Sequence, residues 1–365
     1  MINIQKYLNI DGNVKKELGL HDDIIIETVD RLREPHRFYH NEEHHVSRLF
    51  DFISTSFGGL DSYTEGILKV IALFHDAIYL PGCKNNEIES ADLFKQSVKD
   101  VPLADEIYLS IAETDYLTYP EATKKGYAEL FRYYDLYDLT HGDPIVWREN
   151  TVRLFREFQK VPFSSYRFHT KEFLYQLAGL YPKTAAACDF QIKFVDSWRP
   201  KIGIYAGSFN PFHSGHMDIL EQAEGLFDKV IIGIGKNSQK SNVNRYEPSD
   251  SLPFHEVFTY YDMLSTMMRQ ANKDMDVVLV RGLRNGHDLQ YEERLLRYVQ
   301  DDFPEVKVVY LCCKPHLSHV SSSGVRDIMF YDRVKGREYL PSKYHYYKTK
   351  FYNTMMPKDK MHVER

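Results

Sequence analysis

Cysteine is scarce in this chain of 365 residues, which contains four of them. Cys83, Cys188, Cys312 and Cys313 form neither a CxxC pair nor the regular spacing of a disulfide framework. The sequence therefore excludes a disulfide-rich scaffold, and this cysteine usage is typical of a protein in a reducing compartment.

Long apolar runs, an excess of positive charge and internal repeats are absent as well. The first residues, MINIQKYLNIDGNVKK, lack the continuous apolar core of a signal peptide, and no stretch is long enough to span a bilayer. The net charge of −6 gives no general reason to expect a nucleic acid or a membrane surface as a partner. We therefore expect a cytoplasmic protein, in which any bound anion is held by a local basic cluster.

The chain is longer than a single hydrophobic core usually grows, so two domains are expected. Before the segment DSWRPK, residues 196–201, long segments such as TEGILKVIALFHDAIY carry helical periodicity. After it, short β-rich runs such as KVIIGIG alternate with amphipathic segments. The pattern predicts an all-α domain over residues 1–197. It predicts an α/β domain with a parallel sheet and crossover helices over residues 198–365.

The most informative segment is IGIYAGSFNPFHSGH, residues 202–216, in which an apolar strand runs into a turn of small residues. Gly207 and Ser208 allow a backbone with free N–H groups to approach a ligand, and His213 and His216 form an HxGH pattern. The amphipathic segment that follows predicts a helix whose N-terminus would attract a phosphate. Taken alone, the pattern is more typical of a strand, a turn and a helix with solvent-facing histidines.

Three further motifs also follow predicted strands directly. Lys240 ends the loop KNSQK, Arg281 and Arg284 lie in RGLRNGHDLQYE, and serines 321–323 precede GVRDIMF. On a helical turn, the offset of three would let both arginines face one phosphate group. The serine hydroxyls and the following N–H groups would form a second anion cradle. Because parallel sheets bind ligands at the carboxyl ends of their strands, these motifs together predict a nucleotide site.

Residues 201–339 resemble the phosphopantetheine adenylyltransferase family, a Rossmann-like branch of the HxGH nucleotidyltransferase superfamily. The resemblance rests on GSFNP-x-x-x-GH, on N-x-x-K at residues 237–240, on RGLR with DLQYE at 281–292, and on SSSGVR at 321–326. It implies transfer of AMP from ATP, in the presence of Mg²⁺, to the phosphorylated acceptor 4′-phosphopantetheine with release of pyrophosphate. A phosphate acceptor is already an anionic nucleophile, so such transfer needs positioning and charge neutralisation more than a general base.

The same resemblance implies roles for individual residues. His216, Lys240 and Arg281 would be catalytic: His216 would stabilise the pentacovalent transition state together with Ser208, and the two cations would hold the acceptor phosphate and the α-phosphate. The residues implied in substrate or ATP binding are Gly207, Ser208, Phe209, His213, Gly215, Arg284, Glu292, Ser321, Ser322, Ser323 and Arg326.

Two residues depart from this family's usual pattern, which has Thr at the position of His213 and Asp at that of Asn210. At these positions the chain is more similar to nicotinamide mononucleotide adenylyltransferases. The segment between Lys240 and Arg281 also differs from the family's usual charged helix. Nicotinamide mononucleotide therefore stays open as an alternative acceptor.

A second group of polar residues lies in the helical half. It comprises RFYHNEEHH (37–45), LFHDAIYLPGCKNNE (73–87) and YYDLYDL (133–139). An offset of four would point His40 and His44 the same way on a helix. His75 and Asp76 end a strongly apolar helix, where an imidazole and a carboxylate are costly unless something compensates them. A divalent cation would do so, and the mixed donors suit Zn, Mn, Fe or Mg.

Residues 30–180 resemble the HD superfamily of metal-dependent phosphohydrolases, through YHNxxH, FHDxxYxPG and NEIESA. The resemblance implies that His44, His75, Asp76 and Asp135 bind the metal and that His40 donates a proton to the leaving group. Asp138, one turn from Asp135, is an alternative ligand. The family's histidine after the Thr of IAET is missing here, so that either Asp115 substitutes for it or that element is lost.

Three hypotheses about the whole chain follow. The first is a bifunctional enzyme, an adenylyltransferase fused to a metal-dependent phosphohydrolase. The second keeps adenylyl transfer but takes nicotinamide mononucleotide as the acceptor. The third makes the helical half a non-catalytic binding or oligomerisation module. A nucleotide-sensing regulator built on the C-terminal half is a further alternative. The resembling transferases assemble as hexamers, which suggests a homo-oligomer, although a fused helical domain could block that packing.

Overall fold

The structure is a computed structural model that describes residues 4–55, 59–120, 126–235, 252, 255–260 and 263–341. The chain divides into two compact units. Unit 1 comprises Met1–Phe158 and Phe163–Trp198, and unit 2 comprises Gln159–Pro162 and Arg199–Arg365. The short segment 159–162 therefore packs with unit 2, although it lies inside the helical domain that the sequence predicts.

The regular secondary structure in the described part of unit 1 is helical. A π-helical turn spans Glu42–Val46, and a 3₁₀ turn spans Pro182–Thr184. The α-helices are α1 (Gln5–Leu8), α2 (Gly12–Leu18), α3 (Asp22–Arg31), α4 (Ser47–Ser54), α5 (Ser62–Phe74), α6 (Asn86–Ser97), α7 (Pro102–Ala112), α8 (Gly126–Asp135), α9 (Tyr137–His141), α10 (Pro144–Glu157), α11 (Phe163–Leu180) and α12 (Ala185–Ser197).

Helix α5 lies at the centre of unit 1. Every residue from Gly66 to Phe74 is buried, because the segment GILKVIALF is apolar around its whole circumference. The exception, Lys69, keeps its ammonium 2.6 Å from Glu65 Oε1, one turn earlier. The helix ends at Phe74, so the next two residues, His75 and Asp76, emerge directly from the hydrophobic core.

Unit 2 contains one parallel sheet in its described part. The strand order β3-β2-β1-β4-β5 reverses direction at β1, which has β2 on one side and β4 on the other. Of the three inner strands, β1 and β2 are almost fully buried and β4 is mostly buried, whereas β3 and β5 at the edges are more exposed. The strands are β1 (Lys201–Gly207), β2 (Lys229–Gly235), β3 (Val257–Tyr260), β4 (Asp276–Leu283) and β5 (Lys307–Cys312).

Five α-helices of unit 2 connect or follow these strands within the described residues. The loops after β1 and after β4 leave the same edge of the sheet, on either side of the reversal, where parallel sheets bind ligands. The helices are α13 (Ser214–Glu224), α14 (Leu264–Ala271), α15 (Gly286–Asp302), α16 (Ser322–Tyr331) and α17 (Arg333–Arg337).

Residues 159–162 are held to unit 2 by hydrogen bonds to the start of β2 and to Glu256, the residue before β3. The carbonyl of Gln159 accepts the Glu256 N–H across 2.9 Å, and its side-chain oxygen accepts the Val230 N–H across 3.1 Å. The buried ammonium of Lys229 donates to the Val161 carbonyl and pairs with Glu256 across 2.6 Å. These bonds explain why the segment groups with the sheet.

The structure confirms the predicted succession of a helical region and an α/β region with a parallel sheet. The identity of the helical region as an HD-type domain stays a prediction. Among the helices that the structure describes, none combines the length and the hydropathy needed to cross a membrane.

Candidate functional site

The loop after β1 is built around a buried phenylalanine. Phe209 has a left-handed backbone with φ of 42°. Its ring packs against Gly207 so closely that a Cβ on that glycine would lie 2.8 Å from the ring. The ring also packs edge-on against His216, with centroids 5.0 Å apart. The side chain of Phe209 is buried and packs against His216, and the expected part of this residue in ATP binding stays a prediction. Ser208 beside it is exposed.

His213 and His216 cap the start of α13. His213 Nδ1 accepts the Gly215 N–H across 3.1 Å, and His216 Nδ1 accepts the His213 N–H across 3.3 Å. The two rings stack with centroids 3.6 Å apart. A Cβ on Gly215 would lie 3.1 Å from the His213 ring, so the glycine avoids a steric clash with the stacked histidines. Because each Nδ1 is an acceptor, the hydrogen of each neutral ring lies on Nε2.

Electrostatics keep both rings uncharged. Burial, followed by the nearby Arg284 guanidinium, lowers the pKa of His213 to about 4. Burial, with smaller effects of His213 and Arg284, holds the pKa of His216 well below its ordinary value. His216 can therefore offer a neutral Nε2–H to a phosphate oxygen, and Arg284 is close enough to both rings to add positive charge.

The two arginines of the RGLR motif do not share a helical turn. Arg281 lies within β4, where Nη1 donates to the Ala206 carbonyl across 2.7 Å and the guanidinium forms two bonds with the Glu292 carboxylate. Arg284 follows the strand and pairs with Asp288 across 2.9 Å. The predicted helical pairing is wrong because the strand continues through Arg281. Glu292, predicted to bind ATP, is the counter-ion of Arg281.

The start of α16 is bonded to the loop after β1. Ser322 Oγ donates to the Pro211 carbonyl across 3.0 Å, and Arg326 donates to the Asn210 carbonyl. Ser321 Oγ accepts the Gly324 N–H across 3.1 Å and so caps the helix, and it lies 3.3 Å from Ser323 Oγ. In the structure, Ser322 and Arg326 thus bond to the backbone of the loop after β1.

Three of the predicted site residues of unit 2, Arg281, Ser322 and Arg326, bond to the end of β1 and to the loop after it. Arg281 donates to the carbonyl of Ala206 near the end of β1, and α16 donates to the carbonyls of Asn210 and Pro211 in the loop that follows. Lys240 lies outside the described residues. The arrangement places the N-termini of two helices and the Nε2–H of His216 around one loop, a set of donors suited to phosphate groups.

A second cluster lies in unit 1 at the end of α5. His45 Nε2 lies 3.1 Å from His75 Nε2 and 3.2 Å from Asp135 Oδ1, and His75 Nε2 lies 2.9 Å from Asp76 Oδ2. His75 donates its Nδ1–H to the Ala72 carbonyl across 3.0 Å, which directs Nε2 into the cluster. His45, His75 and Asp76 each offer a ligand atom, and these atoms lie within 4.8 Å of one another.

The residues present fit a divalent cation. Asp76 Oδ2 is buried and has no well-aligned hydrogen-bond donor among the described residues. Burial alone would lower the pKa of His75, but the Asp76 carboxylate outweighs it and raises the pKa to about 9. Burial likewise favours a neutral Asp135, yet the bond to His45 and the charge of His75 lower its pKa. The cluster thus favours positive charge at its centre.

The structure corrects one predicted ligand. The sequence places His40 and His44 on one α-helical face, but residues 37–41 are not helical and the following turn is a wide π-helical one, capped by Asn41. This geometry turns His45 into the cluster and His44 away from it. His44 Nε2 instead accepts a hydrogen bond from Arg153 across 2.7 Å.

Glu157 organises the segment that carries His40, and the sequence analysis missed it. One carboxylate oxygen accepts the N–H groups of residues 38, 39 and 40 at 2.9, 2.7 and 2.8 Å. The other accepts His40 Nδ1–H across 2.7 Å and the Tyr79 hydroxyl across 2.8 Å. Glu157 is 1% exposed. The one sequence feature that could have identified Glu157 is its place, as a charged residue, on the buried face of α10.

Arg37 holds the other side of the cluster and was also missed. Its buried guanidinium donates to the carbonyls of Asp76 and Ala77 across 2.6 and 3.1 Å, and to that of His40 across 3.2 Å. It also pairs with Glu34 across 3.1 Å. Arg37 therefore ties the turn after α5 to the His40 segment.

Comparison with known proteins concerns unit 2. Residues 204–328 match the model of the cytidylyltransferase-like family. A phosphopantetheine adenylyltransferase of Streptococcus suis (strain 05ZYH33) is 34% identical over 148 residues, which are 39% of this chain and 90% of that protein. One of Cytophaga hutchinsonii is 36% identical over 146 residues, 36% of this chain and 91% of its own length. One of Porphyromonas gingivalis is 37% identical over 143 residues, 37% of this chain and 91% of its own length.

We predict that the imidazole of His213 stays neutral well below neutral pH. It should titrate near pH 4 in the folded protein, against an ordinary value of 6.5 in the unfolded chain. The unfolded chain then takes up the proton first as the pH falls, so unit 2 should lose about 2–3 kcal/mol of stability between pH 6.5 and 4.5. Histidine NMR of folded and urea-unfolded protein measures both midpoints.

The matched variant for this prediction is His213→Asn, whose side chain can still cap the helix. Denaturant unfolding of the variant should lose the part of the pH dependence that His213 contributes. A folded-state midpoint at or above the unfolded one would contradict the prediction.

The substitution Glu157→Gln should loosen the segment 38–40, since a neutral amide accepts the same N–H groups more weakly than a carboxylate does. A hydrogen bond to a charged acceptor contributes about 1.5–3 kcal/mol, so we expect amide exchange there to accelerate roughly 10- to 100-fold. Hydrogen-exchange mass spectrometry measures it. Glu149→Gln, on the exposed side of the same helix, is the control, and equal exchange in the two variants would refute the role of Glu157.

Proposed function

Because the chain belongs to the phosphopantetheine adenylyltransferase family through its second unit, we propose that it transfers AMP from ATP to 4′-phosphopantetheine. The products would be dephospho-coenzyme A and pyrophosphate. The observation that carries this proposal is the joining of three predicted phosphate-binding elements at one edge of the sheet. Arg281 bonds to Ala206, and the start of α16 bonds to Asn210 and Pro211.

The proposed reaction is an in-line displacement. A phosphate oxygen of the acceptor forms a bond to the α-phosphorus of ATP, and the bond from that phosphorus to the bridging oxygen breaks. Pyrophosphate leaves with the electron pair. His216 would donate Nε2–H to an oxygen of the α-phosphate as negative charge develops there, and the helix N-termini would add further N–H donors. Mg²⁺ is expected to arrive with ATP and to neutralise charge on its phosphates.

The two RGLR arginines would act differently. Arg281 is tied to Ala206 and Glu292, so its charge would act from a fixed place beneath the loop. Arg284 is largely exposed and pairs with Asp288, so it could exchange that carboxylate for a phosphate. We assign Lys240 to the acceptor phosphate by the family resemblance.

We place 4′-phosphopantetheine before nicotinamide mononucleotide as the acceptor. Nicotinamide mononucleotide is favoured in the sequence by Asn210 and His213, and both residues form hydrogen bonds that stabilise the loop after β1. The Asn210 carbonyl accepts from Arg326, and His213 Nδ1 caps α13, which a Thr hydroxyl would also do. Neither departure therefore requires a different acceptor.

An acceptor assay tests the transferase. With ATP and Mg²⁺, wild-type protein should release pyrophosphate in the presence of 4′-phosphopantetheine and much less with nicotinamide mononucleotide. The variant His216→Ala should lower kcat about 100- to 1000-fold, because loss of one transition-state donor costs about 3–4 kcal/mol. The control is His169→Ala, an exposed histidine of unit 1. If neither acceptor is adenylylated, the transferase proposal is wrong.

For unit 1 we propose a metal-dependent phosphohydrolase site. His45, His75, Asp76 and Asp135 would hold one divalent cation, for which Zn, Mn, Fe and Mg are the candidates, and the cation would supply Lewis acidity to a phosphate oxygen. His40 would donate a proton to the leaving oxygen as water attacks phosphorus and the ester bond breaks. What supports this assignment is the Glu157 carboxylate, which accepts Nδ1–H and leaves Nε2 of His40 for that task.

Metal analysis separates this proposal from a non-catalytic helical module. We expect purified protein to carry about one equivalent of a divalent cation and His75→Ala to lose it, because His75 Nε2 lies within 3.1 Å of His45 Nε2. His169→Ala serves as the control. A protein that binds no divalent cation, or binds it equally well without His75, would contradict the metal site.

A further inference from the structure

Tyr116 stands beside the metal-binding cluster of unit 1, in the turn that follows α7. Its side chain is nearly buried, with 9% of the residue exposed, and its hydroxyl donates to Asp135 Oδ2 across 2.6 Å. Two contacts with Tyr181 hold it there. The Tyr181 hydroxyl donates to the Tyr116 carbonyl across 3.2 Å, and the two rings meet edge-on with centroids 6.1 Å apart. The phenol is therefore a fixed neighbour of Asp135.

The two oxygens of Asp135 have different partners as a result. Oδ1 lies 3.2 Å from His45 Nε2 and 3.8 Å from His75 Nε2, inside the cluster. Oδ2 accepts the phenol, outside the cluster. A carboxylate whose second oxygen is occupied by a hydroxyl donor can offer one oxygen to a cation and is held in one orientation.

The neighbouring Asp115 does not extend the cluster. Its Oδ1 accepts the Thr118 N–H across 3.1 Å, which closes the turn after α7. The carboxylate that could replace the histidine missing from IAETDYL thus has a backbone partner of its own. Among the residues that the structure describes, the grouped metal-ligating side chains near α5 are His45, His75 and Asp76, with Asp135 beside them.

We propose that Tyr116 is a positioning residue that restricts Asp135 to ligation through Oδ1 and so limits unit 1 to one cation per chain. This inference rests on the metal site proposed above. A second cation bridged by Asp135 would need Oδ2, and the phenol would have to leave. A six-coordinate cation held by one oxygen from each of two carboxylates and one nitrogen from each of two imidazoles would keep two positions for substrate oxygen.

The test uses full-length protein stripped of metal with a chelator and titrated with Co²⁺ alone. Visible absorption and calorimetry would follow wild type, Tyr116→Phe and Tyr108→Phe. Tyr108 is the matched control, because its hydroxyl also donates to a carboxylate, Asp92, across 3.1 Å at an exposed site. Wild type should bind one equivalent. Loss of an outer partner typically weakens metal binding about 10- to 100-fold, and we expect this for Tyr116→Phe and no change for Tyr108→Phe.

The absorption spectrum at saturating Co²⁺ gives a second readout that does not depend on affinity. Once freed, Asp135 can bind through both oxygens, so the visible bands of Tyr116→Phe should weaken and shift, as expected for a higher coordination number. Circular dichroism of the same samples verifies that each variant is folded.

The possible outcomes test the role of Tyr116 and the metal site separately. Two equivalents in wild type, or affinity and spectrum of Tyr116→Phe equal to those of wild type, overturn the role of Tyr116 while the metal site stands. Wild-type protein that binds no Co²⁺ overturns the metal site and this inference with it.

Discussion

The parallel arrangement of unit 2 is the constraint on which its chemistry depends. Every strand delivers its carboxyl end to the same edge, and the reversal of strand order at β1 leaves the loop with the HxGH motif in the middle of that edge. The carbonyls of Ala206, Asn210 and Pro211 then accept from β4 and α16. Side chains that could bind phosphate are thus bonded to the backbone of this loop.

In unit 1, too, other residues hold the backbone of the candidate site. The described part of this unit contains no strand, and two buried charged residues, Glu157 and Arg37, fix the backbone around the site. Glu157 gathers three successive N–H groups, and Arg37 gathers three carbonyls. Buried charges are costly unless hydrogen bonds satisfy them, so this pairing with backbone groups makes both residues stabilising instead of disruptive. In both units the catalytic candidates stand on a backbone held by other residues.

Much of the fold and of unit 2's site could be predicted from the sequence, because both depend on local patterns. Apolar periodicity indicated α5 and the inner strands, and the motifs indicated which strand ends carry polar groups. Errors arose where local geometry departed from the ideal: the π-helical turn exchanged His44 for His45, and the continuation of β4 separated Arg281 from Arg284. Glu157 and Tyr116 meet partners 117 and 19 residues away, and no spacing rule reveals such pairs.

The assignment of Gln159–Pro162 to unit 2 has a consequence for how the two units could be separated. The polypeptide crosses from one unit to the other three times, after Phe158, after Pro162 and after Trp198. A cut at a single linker would therefore deprive Gln159 and Val161 of their partners on β2 and leave bonding groups of that strand unsatisfied. A fragment that contains all of unit 2 must therefore include residues 159–162 as well as the residues after Trp198.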